Sequence, residues 1–172
     1  DKDNLDVSNV MTKLNSWMED DYWKEYAELQ YKDVQPLIII EEYLGSDSGS
    51  LPEDYKFYCM NGKCKYVMIC EGRGTGDQLR FYYFNKNWDL MPFTKDYYDD
   101  PDIKISKLKM IERAFEIAES LSKDFPFVRV DLYIINGKIY FGELTFTPAA
   151  GLDNGRLKTT DKILGKELNL SY

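Results

Sequence analysis

Two Asn-Gly pairs, Asn61-Gly62 and Asn136-Gly137, each sit between stretches dense in aromatic and β-branched residues. Asn-Gly is the strongest short-range signal for a tight antiparallel turn, because both central residues must take positive φ. The flanking runs therefore predict two hairpins, Asp54–Met60 with 63–70 and Phe127–Ile135 with 138–146. Between them, residues 106–123 place Met110, Ile111, Ala114, Ile117, Ala118 and Leu121 on one stripe, the spacing of an amphipathic helix, and Pro126 closes it. Hairpins separated by a helix indicate an α+β domain, an antiparallel sheet with packed helices. A doubly wound parallel sheet needs strand and helix in regular alternation.

The rest of the chain is punctuated more weakly. Residues 10–26 carry Val10, Leu14, Trp17 and Met18 at helical spacing. Residues 37–44, LIIIEEYL, have the composition of a buried strand that reaches a polar edge. The segments GSDSGSLP (45–52) and EGRGTGD (71–77) read as loops, with a strand expected at 79–84, irregular chain at 89–102 and a short helix at 161–166. The glycines of 71–77 do not open a helix, so they lack the context of a phosphate-binding loop, and Arg73 and Arg80 are left as contacts for an anionic group. The 172 residues, 44% of them hydrophobic, suit a single domain with a real core.

Charge and composition narrow the chemistry. Thirty acidic residues against 22 basic ones disfavour a nucleic-acid partner, whose backbone is gripped by clustered positive charge. Histidine is absent, which removes histidine general bases and most zinc sites and leaves carboxylates, lysines, arginines or a metal on oxygen ligands. Cys59, Cys64 and Cys70 fit no zinc or redox spacing and read as reduced packing residues; Cys59 and Cys64 flank a turn, so a bridge under oxidising conditions is the secondary reading. The longest apolar run is too short for a membrane span and no leader-like segment opens the sequence, so a cytoplasmic protein is expected.

The second hairpin can be read for register. Val130, Leu132 and Ile134 are apolar at even positions, as are Tyr140, Leu144 and Phe146. If both even sets face the core, the connection holds an odd number of residues, which predicts a three-residue loop around Asn136-Gly137. The other face then gathers Arg129, Asp131, Glu143 and Thr145. Two carboxylates that close repel each other unless a cation lies between them, and oxygen ligands of this type suit Mg²⁺. Neutralisation by Arg129 and Lys138 on a solvated sheet face is the alternative.

The stretch RVDLYIINGKIYFGELTFTP resembles the magnesium-binding hairpin of ATP-grasp enzymes. The resemblance implies metal ligation by Asp131 and Glu143, with Thr145 standing where many members have Asn, and gives Arg129 to the reacting phosphate. IIIEEYL is similar to the adenine hinge, implying that Glu41, Tyr43 and Leu44 meet the adenine edge. Asp54 and Lys56 fall at the ribose-binding acid and a basic phosphate contact. The runs DYKFYCMNGK, FPFVRVDLY and FGELTFTP look most like the TupA-like branch associated with teichuronopeptide and other surface-polysaccharide biosynthesis.

That resemblance implies ATP and Mg²⁺ as cofactors. It implies a carboxylate ligase that passes through an acylphosphate to an amide-type bond, with an anionic small-molecule, saccharide or peptide acceptor. A glycosyltransferase using a nucleotide sugar, or a nucleotide-binding module without catalysis, are the rival expectations. No glycine precedes Leu37, so a complete phosphate cradle is expected to need residues upstream of this sequence, and the 172 residues alone to show little catalysis.

Overall fold

A computed structural model describes residues 4–44, 52–72 and 78–171. By its internal contacts the chain forms two compact units, Asp1–Tyr43 and Leu44–Tyr172.

The first unit is helical. Helix α1 spans Val7–Glu19, its N-terminus capped by the Asp6 carboxylate, which accepts from the Asn9 amide at 3.0 Å. The single helix expected over 10–26 is broken: Asp20 turns extended (φ −74°, ψ 131°) before the short helix α2, Tyr22–Glu25. Adjacent Asp20 and Asp21 explain the break, since Asp favours caps over helix interiors. Residues 37–44, expected as a strand, form no regular element, and Leu37, Ile39 and Ile40 are exposed. An isoleucine-rich run becomes a strand only when a neighbour takes up its backbone hydrogen bonds, and no pairing partner occurs among the described residues. The loop expected at 45–52 falls almost wholly outside the described residues, as do residues 73–77 with Arg73.

The second unit bears out the α+β reading. Six strands, β1 (Asp54–Met60), β2 (Lys63–Glu71), β3 (Arg80–Asn85), β4 (Leu90–Met91), β5 (Phe127–Ile135) and β6 (Lys138–Thr145), form one antiparallel sheet in the order β4-β3-β2-β1-β5-β6. The two predicted hairpins are therefore neighbours, joined through β1 and β5. Three further helices follow the chain: α3 (Lys95–Asp99), in a stretch expected to be irregular, α4 (Ile111–Leu121) and α5 (Lys158–Glu167). The expected helix over 106–123 starts only at Ile111, because Ile103, Ile105 and Leu108 ahead of it pack in irregular conformation against the core. No described helix is long and apolar enough to cross a membrane.

The sheet buries both faces. On one, Phe57, Val67, Val128 and Val130 meet Ile111, Ala114, Phe115 and Ala118 of α4. On the other, Tyr58, Met60, Met68 and Tyr83 meet Phe93 and Leu164 of α5. The polar residues of this second face, Lys56, Arg129, Asp131 and Glu143, lie outside that apolar cluster.

The loop length read from parity needs correction. Ile135 pairs with Lys138, so Asn136-Gly137 is a two-residue turn, with φ of 51° and 73°. Side chains next to the turn consequently pair odd with even, as Tyr133 does with Tyr140. A bulge after Asp131 then inserts Gly142 and restores odd-to-odd pairing, Asp131 with Glu143 and Arg129 with Thr145. A side chain cannot fit at the bulge: a Cβ on Gly142 would lie 2.9 Å from the Asp131 carbonyl oxygen. The first hairpin repeats the arrangement, with Met60 opposite Lys63 across the turn and a register shift between Tyr58 and Cys59.

Candidate functional site

The site is a set of rows running across three adjacent strands. Lys56 of β1 lies opposite Asp131 of β5, which lies opposite Glu143 of β6; one two-residue step along, Tyr58, Arg129 and Thr145 form the next row. Side chains in one row of an antiparallel sheet stand about 4.5–5.5 Å apart at Cβ, close enough for direct ion pairing.

That pairing is dense. Lys56 Nζ lies 2.5 Å from Asp131 Oδ2 and 2.5 Å from Asp54 Oδ2. Arg129 grips Asp131 with both prongs, Nε donating to Oδ1 at 2.7 Å and Nη2 to Oδ2 at 2.6 Å. The same Nη2 reaches Glu143 Oε1 and Thr145 Oγ1, each at 3.0 Å, and the Thr145 hydroxyl donates to Glu143 Oε1 at 2.7 Å. Burial opposes charge on Arg129, but its hydrogen bonds and attraction to Asp131 prevail and hold the guanidinium firmly protonated. Fork-like arginine–carboxylate pairs of this kind are among the stronger polar contacts in proteins.

Exposure divides the acids. The side chains of Asp54 and Asp131 are each 4% exposed, whereas that of Glu143 is 62% exposed. Among the described residues these three carboxylates meet Lys56 and Arg129, and the acid open to solvent is Glu143. Asp131 and Glu143 converge on this face, and the buried Asp131 is neutralised by its near neighbour Arg129 and by Lys56, 75 residues away in the chain. Lys138, expected as a neutraliser, sits at the turn opposite Ile135.

Of the sequence-identified residues, Asp54, Lys56, Arg129, Asp131, Glu143 and Thr145 join in this one network. Glu41, Tyr43 and Leu44 lie in irregular chain, the first two in the first unit and Leu44 at the start of the second. Sequence reading passed over two neighbours. Tyr58 stands in the Arg129 row, its hydroxyl accepting from Tyr83 at 3.0 Å. Its parity with Lys56 on β1 was the available signal. Arg156 stacks over the Tyr58 ring at 6.0 Å and lies 3.4 and 3.5 Å from carboxylate oxygens of Asp153 and Asp161. It is carried there by pairing of Thr94 with Arg156 and by the Leu157 amide on the Phe93 carbonyl, which no local pattern announces.

Beyond the Arg129 row the same face opens into a cleft of about 260 Å³, with Met60, Phe127, Phe146 and Leu164 as apolar walls and Arg156 and Asp161 as polar ones. Met60 and Phe127 form the next sheet row, so the cleft begins about 7 Å from Arg129 at the rise of an extended strand. Its lining includes Pro148 and Gly151, which bracket Ala149 and Ala150; Ala149, Ala150 and Gly151 have φ of 50°, 52° and 76°. The left-handed region is costly for alanine and is found most often where a site fixes the backbone.

Comparison with curated proteins and with solved structures found no match. The model of the TupA-like ATP-grasp family, by contrast, matches residues 1–169. That match takes in both hairpins, the helix between them and the chain that folds back as α5, and on its extent the chain belongs to the TupA-like ATP-grasp family.

Proposed function

We propose that this chain binds ATP with magnesium and serves a carboxylate ligase of surface-polysaccharide or teichuronopeptide biosynthesis, acting in the cytoplasm where ATP is supplied. The observation that carries the reading is the Lys56–Asp131–Glu143 row, crossed by Arg129 and open to solvent at Glu143. Its donors are all oxygen and two carboxylates stand on neighbouring strands, one of them, Glu143, open to solvent; this is the chemistry of a hard divalent cation. Among the described residues no three His, Cys, Asp or Glu side chains lie close enough to hold a metal by themselves. Magnesium commonly takes one or two carboxylates and completes its shell with water and phosphate oxygens, which fits Asp131 and Glu143 with the Thr145 hydroxyl beside them.

Bound there, the ion would supply charge stabilisation for phosphoryl transfer. The chain's own groups do the rest. Arg129, firmly protonated and fixed by Asp131, presents a guanidinium toward reacting phosphate, and Lys56 offers a second cation one row away. Asp54 takes the ribose, and Glu41, Tyr43 and Leu44 meet the adenine edge. The acceptor, an anionic small molecule, saccharide or peptide, enters the adjoining cleft, where Arg156 and Asp161 provide one charge of each sign.

Titration calorimetry of ATP into the protein, with magnesium and then with chelator, tests the reading. Binding should require the metal and weaken about tenfold or more in Glu143→Gln, a loss of about 1.4 kcal/mol. Equal affinity with chelator present would overturn it. Release of UDP from a UDP-sugar, in place of ADP and phosphate from ATP, would make the chain a glycosyltransferase instead.

A further inference from the structure

Cys59 and Cys64 take no part in the polar face, and both are buried, at 0% and 1% exposure. They are direct cross-strand partners, one position beyond the Met60–Lys63 pair that closes the turn. In a two-residue hairpin that next pair is of the non-hydrogen-bonded kind, and accordingly the Cys64 amide donates elsewhere, to Glu119 Oε1 at 3.1 Å. Cα atoms of such a pair lie about 4.5 Å apart with the side chains turned toward each other, inside the range of about 4.4–6.8 Å that a disulfide spans. Cys70, the third thiol, stands six positions along β2 from Cys64, about 20 Å at the rise of a strand, and pairs with Phe81.

We propose that Cys59 and Cys64 form a redox pair that closes a reversible cross-strand disulfide between β1 and β2, with a small hydroperoxide as oxidant. Burial does not forbid the reaction. The pair adjoins the hairpin end, where Asn61 is exposed though hydrogen-bonded to Pro126 and Asn169, and hydrogen peroxide is close to water in size. The two thiols are unequal: a hydrogen bond from Cys64 favours the Cys59 thiolate and outweighs its burial, whereas burial pushes the Cys64 thiol up.

Cys59 is accordingly the attacking sulfur. Its thiolate forms an S–O bond as the peroxide O–O bond breaks, and the departing hydroxide takes up a proton to become water. The Cys64 sulfur then attacks the Cys59 sulfenic sulfur; the S–S bond forms, the S–O bond breaks, and the Cys64 proton leaves with the oxygen as a second water. Two thiols lose two electrons and the peroxide gains them.

The product would pin the hairpin at its register shift, directly beside Tyr58 of the Arg129 row. Cys70 is an internal control, because at 7% exposure it is more accessible than either partner, so exposure alone predicts that it oxidises first.

The folded protein is treated with graded hydrogen peroxide, the remaining thiols are alkylated, and the sites are mapped by peptide mass spectrometry with and without prior reduction. The expected result is joint loss of alkylation at Cys59 and Cys64, a linked peptide lighter by two hydrogens, persistence of alkylated Cys70, and full recovery with dithiothreitol. Cys64→Ser, which keeps a hydrogen-bond donor beside Cys59 but cannot close the bridge, should leave Cys59 at the sulfenic stage, trapped by dimedone. Oxidation of Cys70 first, linkage between chains, or retention of both alkylated thiols at peroxide levels that oxidise the urea-unfolded chain would each overturn the proposal.

Discussion

Replacing Asp131 by Asn should destabilise the protein even with no nucleotide present, and the structure sets the scale. Relief of carboxylate repulsion would point the other way, but Glu143 lies on the solvent side and the nearest groups to Asp131 are cations. The mutation keeps the volume and removes the charge that Arg129 holds with two hydrogen bonds and Lys56 holds at 2.5 Å. The side chains left behind, 11% and 16% exposed, recover little hydration. Removing one partner of a buried ion pair costs about 3–5 kcal/mol, since the remaining charge stays desolvated. Lys56 keeps Asp54 and Arg129 keeps Glu143, which places the loss at the lower end, about 3 kcal/mol. At about 2–4 °C per kcal/mol for a chain of this size, the melting temperature should fall by about 6–12 °C. Glu143→Gln is the control: its carboxylate is 62% exposed, and loss of an exposed pair costs about 0–1 kcal/mol. Thermal and urea melts of both variants without ligand read the difference. Equal melting of Asp131→Asn and wild type, or an equal loss in Glu143→Gln, would show that the network does not stabilise the fold as argued.

Gly142→Ala should cost about 1–3 kcal/mol in urea melts and weaken Mg-ATP binding in the same protein, because the added Cβ meets backbone at 2.9 Å and the bulge sets Glu143 opposite Asp131; an unchanged melt would refute the steric argument. Ala149→Gly should stabilise by up to about 1 kcal/mol by relieving the positive φ of 50°, offset in part by the greater freedom of glycine in the unfolded chain, and a loss in denaturant midpoint would count against strain there. Acid should remove part of the stability held by Glu119. Burial opposes its charge, but Lys86 and the Cys64 amide prevail and hold its carboxyl below the usual range. A depressed folded value contributes stability above the ordinary carboxyl value of about 4.3 and loses it as pH falls through the lowered one. The stability gap between wild type and Glu119→Gln, read from urea midpoints, should therefore be open at neutral pH and close below about pH 4; a constant gap would refute the assignment.

The amino-acid sequence determined the parts whose signals are local. Asn-Gly turns placed both hairpins, the stripe from Ile111 to Leu121 placed α4, and alternation along β5 and β6 put Arg129, Asp131, Glu143 and Thr145 on one face. Parity could not separate a three-residue loop from a two-residue turn followed by a bulge, because each adds one residue to the count. The close approach of Gly142 to the Asp131 carbonyl, a contact between strands, belongs to the second arrangement alone. Residues 37–44 mislead for a related reason: composition suits a strand, but a strand exists only with a partner. The charge balance of the site was equally out of reach. Lys56 is brought to Asp131 by the pairing of β1 with β5, and Arg156 is brought beneath Tyr58 by the pairing of Thr94 with Arg156. Local propensity and period are written within a few residues of each other. Which carboxylate is buried, and which cation stands beside it, is decided by contacts between segments far apart in the chain, and so by the tertiary fold.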